Sequence, residues 1–177
     1  MPRLNVVDPA ATDGRVREIF DGPLAGKHLN IFKGLANSPA GLEAYLGLTG
    51  ALGKGSLSPR EHEAVALALA EANDCGYCRA AHTAIGKQAG LTERQTIDAR
   101  KGHVEDDPKL GALVSFTLRL HEKKGFVDDA DLDAFRSAGY SDAHVVDVVV
   151  AYALNTLTNY FNHVNDTAID LPEAPAI

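Results

Sequence analysis

Apolar positions along this chain recur at intervals of three and four residues, and no segment alternates with period two over the length of a strand. Between Pro108 and Lys124 the stripe falls on Leu110, Leu113, Val114, Thr117, Leu118 and His121, the spacing of one helical face, and Gly125 stops it. Ala64 to Ala70 is apolar at every position and reads as a fully apolar helix. Ser58-Pro59-Arg60-Glu61 opens that helix with a capping box and a proline at its first position. A second helix begins at Cys75 and Cys78 and closes at Gly90, and Thr92 to Gln95 opens a shorter one that ends near Gly102. Further helices are expected over Gly14–Phe20, Ile31–Ala36, Pro39–Leu52, Asp129–Ala138 and, capped by Ser141, Asp142–Asn165. No Asn-Gly or Asp-Gly turn lies between β-branched runs. The expected fold class is all-α, in one domain over residues 1–177 whose core motif is 58–90. The Pro-rich tails, Met1–Asp13 and Asp166–Ile177, are expected to be extended, lying on the body or on a neighbouring subunit. Ser58–Cys78 also laid on Ser141–Phe161 matches at five positions, a faint internal echo.

Composition narrows the function classes. The chain has 177 residues, 45% apolar and 23% charged, with a net charge of −7. That balance speaks against a nucleic-acid or anionic-membrane partner, both of which demand a basic face. The longest apolar stretch, Val145 to Leu154, is interrupted by Asp147 and falls short of the roughly 18 residues a membrane helix needs. No apolar segment with a small-residue cleavage site follows Met1, so no signal peptide is expected. Two cysteines close together in such a chain point to a reducing, cytoplasmic compartment and to a working dithiol.

The chemistry concentrates at Cys75-Gly-Tyr-Cys78-Arg-Ala-Ala-His82. Cys78 and His82 form an i,i+4 pair on one helical face. A helix N-terminus and a neighbouring imidazole both favour thiolate over thiol. If the two helices pack antiparallel about a turn at Asn73-Asp74, Glu63 lies roughly 15 Å below the turn and His82 roughly 12 Å, nearly level. A carboxylate that orients an imidazole, which takes a thiol proton, is a standard way to activate a cysteine. Glu71, one turn before Cys75, is a rival carboxylate. Zinc is a rival use of the cysteines: Cys75, Cys78 and His82 offer three ligands, with His62 or His103 as a fourth, but no second Cys/His pair sits at finger spacing. Haem attachment needs a histidine directly after the second cysteine, where Arg79 stands. His163, Tyr77 and Tyr160 read as core or interface residues.

Glu63, eleven intervening residues, Cys75-x-x-Cys78, three residues and His82, in an all-helical chain, resembles the AhpD-like alkylhydroperoxidases of the carboxymuconolactone decarboxylase superfamily. The Ser-Pro-Arg-Glu-His-Glu start and Asn159-Tyr-Phe-Asn-His163 also resemble its peroxidase-related members. The resemblance implies a thiol-dependent peroxidase in which Cys78 is oxidised to sulfenic acid and Cys75 donates a proton and resolves it. Glu63 and His82 would be the proton relay. It implies hydroperoxide substrates, no bound cofactor, and an external dithiol reductant, often a lipoyl group on a partner protein. Two features depart from the family pattern: Tyr77 stands between the cysteines where a histidine is usual, and the motif lies in mid-chain. Lactone decarboxylation, the superfamily's other activity, does not use a cysteine pair; a redox sensor or zinc-stabilised interaction module is the non-enzymatic alternative. A homo-oligomer, trimer or hexamer, is expected from the resemblance and from several helices apolar on more than one face, Ala64–Ala70 and Val145–Leu154 among them.

Overall fold

A computed structural model describes all of residues 1–177. The chain forms nine helices and no strand: α1 (Gly14–Asp21), α2 (Asn30–Leu35), α3 (Pro39–Leu52), α4 (Pro59–Ala72), α5 (Gly76–Gln88), α6 (Glu93–Lys101), α7 (Pro108–Glu122), α8 (Asp129–Ser137) and α9 (Asp142–Asn165). The all-α expectation holds, and the capping residues explain the boundaries. At Ser58 and Thr92 the side chain accepts from the N3 backbone N–H while the N3 Glu61 or Gln95 reaches back, closing both capping boxes.

α4 is the axis of the molecule, packed against α5, α6, α7 and α9. Every residue from Ala64 to Ala70 is buried. A helix that is apolar all round needs cover on all sides, and α4 finds it within one chain. This corrects the expectation that the Ala64–Ala70 run calls for another subunit. Two apolar clusters meet along α4. One gathers Leu67, Leu113, Val114, Phe135, Val148 and their neighbours; the other joins α1–α3 to Ala70, Cys75, Tyr77 and Cys78 through Ile19, Phe20, Phe32 and Leu42. The cysteines therefore sit where the second cluster meets the end of α4.

α9 is held close to α2 by a glycine. A Cβ on Gly34 would lie 2.8 Å from the Phe161 ring and 2.9 Å from the Asn165 amide nitrogen, so any side chain there would push α9 outward. The Val145–Leu154 run of α9, unlike α4, leaves Val146 and Val149 exposed. The sequence echo ends at the turn after α4, because its counterpart lies inside the unbroken α9.

Both tails lie across the body of their own chain. The Arg3 N–H donates to the Asn165 carbonyl (2.7 Å) and the Val7 N–H to that of Lys33 (3.2 Å). At the other end, Asp170 accepts from the Tyr77 hydroxyl (2.8 Å) and the Asn30 N–H (2.8 Å), while Arg100 holds the Pro175 carbonyl (2.5 Å). No helix is long and apolar enough to cross a membrane.

Candidate active site

The turn from α4 into α5 fixes the cysteines. Asp74 adopts a left-handed conformation, φ 52°, the place glycine usually takes at a helix end. The Cys75 N–H reaches the Ala70 carbonyl (2.8 Å) and the Asp74 N–H that of Glu71 (2.9 Å), the paired bonds of a Schellman motif. Cys75 thus ends α4 and is at once the N-cap of α5, where its sulfur accepts from the Cys78 N–H at 3.3 Å. Cys78 stands at the third position of α5, in the field of the helix N-terminus. The two sulfurs are joined as a disulfide, and both residues are buried.

One turn further along α5, His82 Nδ1 lies 2.8 Å from Glu63 Oε2 on α4. The two helices bring the pair level, as the antiparallel arrangement requires. When Nδ1–H donates to the carboxylate, Nε2 is left as the acceptor. No hydrogen bond joins His82 to either sulfur of the disulfide. His82, Glu63 and Cys78 instead share the wall of one cavity of about 470 Å³, completed by Phe32, Tyr45, Leu52, Ile85, Leu154 and Asn162 among others. Its lining is mostly apolar, and Cys75 is not part of it. Burial raises the Tyr45 hydroxyl above its ordinary pKa, a bond to Thr49 works the other way, and the Glu63 charge adds to the rise.

The remaining candidates sort clearly. Glu71 is an ion-pair hub, bonded to Arg79 Nη1 at 2.9 Å and Arg100 Nε at 2.8 Å, and it does not line the cavity. Tyr77 turns its hydroxyl to Asp170; burial and then that carboxylate push its pKa far upward. Tyr77 therefore cannot do what a histidine between the cysteines would. His163 and Tyr160 are exposed and stack on each other. The zinc alternative does not assemble: no three His, Cys, Asp or Glu side chains come together in a metal-holding group, and His62 Nε2 bonds the Leu52 carbonyl (3.2 Å).

Two residues enter the site that the sequence marked only as part of the Asn159-Tyr-Phe-Asn-His163 resemblance, with no role at the cysteines. Asn159 Nδ2 lies 3.1 Å and Asn162 Nδ2 3.3 Å from Cys78 Sγ, both from α9. Asn155, Asn159, Asn162 and Asn165 are all buried. Their spacing of four, three and three puts them on one face of an otherwise apolar helix, and that stripe is the signal by which they could have been found.

Comparison with known proteins agrees with this geometry. Residues 39–106, the span from α3 to just past α6 that holds Glu63, Cys75, Cys78 and His82, match the carboxymuconolactone decarboxylase family. A peroxidase-related protein from Ralstonia eutropha JMP134, described as an alkylhydroperoxidase AhpD core, superposes with a TM-score of 0.81 at 25% identity, over 96% of this chain and 92% of its own. A second peroxidase-related protein, from Silicibacter sp. TM1040, gives 0.78 at 22% identity over 94% and 89% of the two chains. A cysteine-to-alanine variant of the debrominase Bmp8, in complex with 2,3,4-tribromopyrrole, shares the fold at 0.76 and 16% identity over 96% and 94%. No curated protein matches the chain in sequence. The carboxymuconolactone decarboxylase match thus covers the segment that holds the cysteines, and nearly the whole chain shares the fold of the AhpD core.

Proposed function

We propose that the chain is a thiol-dependent peroxidase that reduces hydroperoxides with its Cys75/Cys78 dithiol. The observation that carries this reading is the Glu63–His82 hydrogen bond at 2.8 Å on the wall of the cavity that also exposes Cys78. In the reduced protein, Glu63 holds the His82 ring with Nε2 free to take the Cys78 proton, directly or through one water. The thiolate attacks the terminal oxygen of the hydroperoxide: an S–O bond forms, the O–O bond breaks, and the departing alkoxide leaves as alcohol once protonated. Cys75 then attacks the sulfenic sulfur, an S–S bond forms and water leaves. An external dithiol, of the lipoyl kind carried on a partner protein, supplies the two electrons that reopen the disulfide. Cys78 is the oxidised residue in this scheme because it, and not Cys75, lines the cavity.

The test is peroxide consumption with dihydrolipoamide as reductant, for wild type and Cys78→Ser. Turnover in the first and none in the second is expected. A fully reduced wild-type protein that leaves peroxide untouched, or a Cys78→Ser protein that turns over normally, would overturn the reading.

A further inference from the structure

We infer that Asn159 and Asn162 form a thiolate-holding site for Cys78, and that this pair sets both the acidity of the thiol and the reduction potential of the disulfide. The inference rests on the reading of Cys78 as a working thiol. It adds a function for α9, which lies outside the segment that matches the family.

The geometry is specific. Both carboxamides point their nitrogens at one atom, Cys78 Sγ, at 3.1 and 3.3 Å. Asn159 is wholly buried, and its orientation is held from behind: Asn73 Nδ2 donates to Asn159 Oδ1 at 2.9 Å. With the oxygen occupied, the amide nitrogen faces the sulfur. Asn162 is bound even more narrowly. Its side chain makes one hydrogen bond, to the sulfur, and the buried Oδ1 has no partner. A leucine there would fill similar space without an orphaned acceptor, so nothing in the folded chain except the sulfur gives this carboxamide a purpose.

The acceptor decides what the pair does. A disulfide sulfur is a weak acceptor, whereas a thiolate carries a full charge, and bonds to charged groups are roughly twice as strong. Two donors aimed at Sγ therefore favour the reduced, ionised state over both the neutral thiol and the disulfide. They act with the α5 N-terminus, which lowers the thiol pKa and so works in the same direction. Tyr77, at the position between the cysteines, is turned away to Asp170; the tuning comes from α9 instead. When an external dithiol opens the Cys75–Cys78 bond, its two electrons leave a thiol on Cys75 and a thiolate on Cys78. One of its two protons stays on Cys75, the other goes to solvent, and the external dithiol becomes a disulfide.

The test uses full-length Asn162→Leu and Asn159→Leu, with two readouts that need no peroxide. The first is the pH dependence of Cys78 alkylation by iodoacetamide in a Cys75→Ser background, which gives the thiol pKa. The second is the disulfide potential in dithiothreitol redox buffers, measured above the thiol midpoints of both wild type and variant. Each leucine variant is expected to raise the thiol midpoint by about one unit. The dithiol–disulfide constant should shift about tenfold toward the disulfide, a potential about 30 mV more negative. The Asn162 side chain supports no other bond, and a leucine keeps the backbone carbonyl that accepts from the Thr167 N–H, so its variant should keep the wild-type melting temperature. If Asn162→Leu fails to fold, Asn159→Leu decides alone. Variants that fold and keep both the wild-type midpoint and potential would overturn the assignment even if the protein reduces peroxide, whereas loss of turnover with both readouts shifted as expected would leave it standing.

Discussion

Glu63 and His82 are nineteen residues apart in sequence and 2.8 Å apart in space, one on each arm of the α4–α5 hairpin. The bond places a carboxylate behind an imidazole, and Glu71, one turn from the cysteines, takes no part because two arginines hold it. Glu63→Gln keeps the helix, since glutamate and glutamine have similar propensities. It should slow Cys78 oxidation by about 10²–10⁴-fold, the usual weight of general acid–base catalysis. Glu71→Gln should leave the rate near wild type and lower the melting temperature, because it leaves buried Arg100 without its carboxylate. Initial rates and thermal melts on the two variants check this; a crippled Glu71→Gln beside an active Glu63→Gln would reverse the assignment.

Tyr77→Phe should separate the tail from the chemistry. The hydroxyl bonds Asp170 and accepts weakly from the Ile31 N–H at 3.5 Å, and neither contact involves a sulfur. Its removal should cost about 1 kcal/mol of stability, an ordinary hydrogen-bond loss, seen as a lower denaturant midpoint. The rate of Cys78 alkylation should not change. A shift in that rate would show that Tyr77 tunes the thiols after all.

What the sequence disclosed follows the range of each interaction. The capping boxes at Ser58 and Thr92, the helix start at Cys75 and the turn at Asn73-Asp74 are local, and each was legible. The level pairing of Glu63 with His82 needed only helix rise and an antiparallel turn. The asparagine pair was not legible in the same way, because 81 and 84 residues separate Asn159 and Asn162 from Cys78. Their approach depends on α9 packing against both α4 and α5 and on the bare Gly34 face of α2. The apolar run of α4 misled for a related reason: composition shows that a helix needs cover, and only tertiary structure shows that its own chain provides it.

Glu61 should make the stability of α4 depend on pH. Burial works against its charge, but bonds from the Ser58 N–H, the Ser58 hydroxyl and the Tyr140 hydroxyl outweigh it and hold the carboxyl below its ordinary pKa. A group lowered in the folded state contributes stability above its unfolded pKa of about 4.3 and loses it as pH falls through the folded value. Wild type should therefore exceed Glu61→Gln by about 0.5–2 kcal/mol near neutrality, the range of a helix cap, and the gap should close in acid. Urea unfolding of both proteins at neutral pH and near pH 3 measures it; a gap that is constant or widens in acid would refute the assignment.

The outer face of α9 should make the protein self-associate. Val146, Val149, Tyr160 and Val164 are each about half exposed or more, at 61%, 48%, 55% and 61%. With half-buried Val150 and Leu157 and exposed Ala153 they form one stripe along the helix. Positions 146, 150, 153, 157, 160 and 164 are spaced four, three, four, three and four, a heptad seam that reads the same in either direction and so suits pairing with a copy of itself. The one carboxylate within the stripe's span, Asp147, is turned inward to the Ser56 N–H, leaving nothing ionised on the seam to keep it in water. Light scattering at micromolar concentration should therefore give an oligomer, a trimer or hexamer by resemblance to the family. Val146→Asp with Val164→Asp should shift it toward monomer without lowering the helix content, because neither side chain contributes to the core. A wild-type monomer at that concentration would count decisively against the interface.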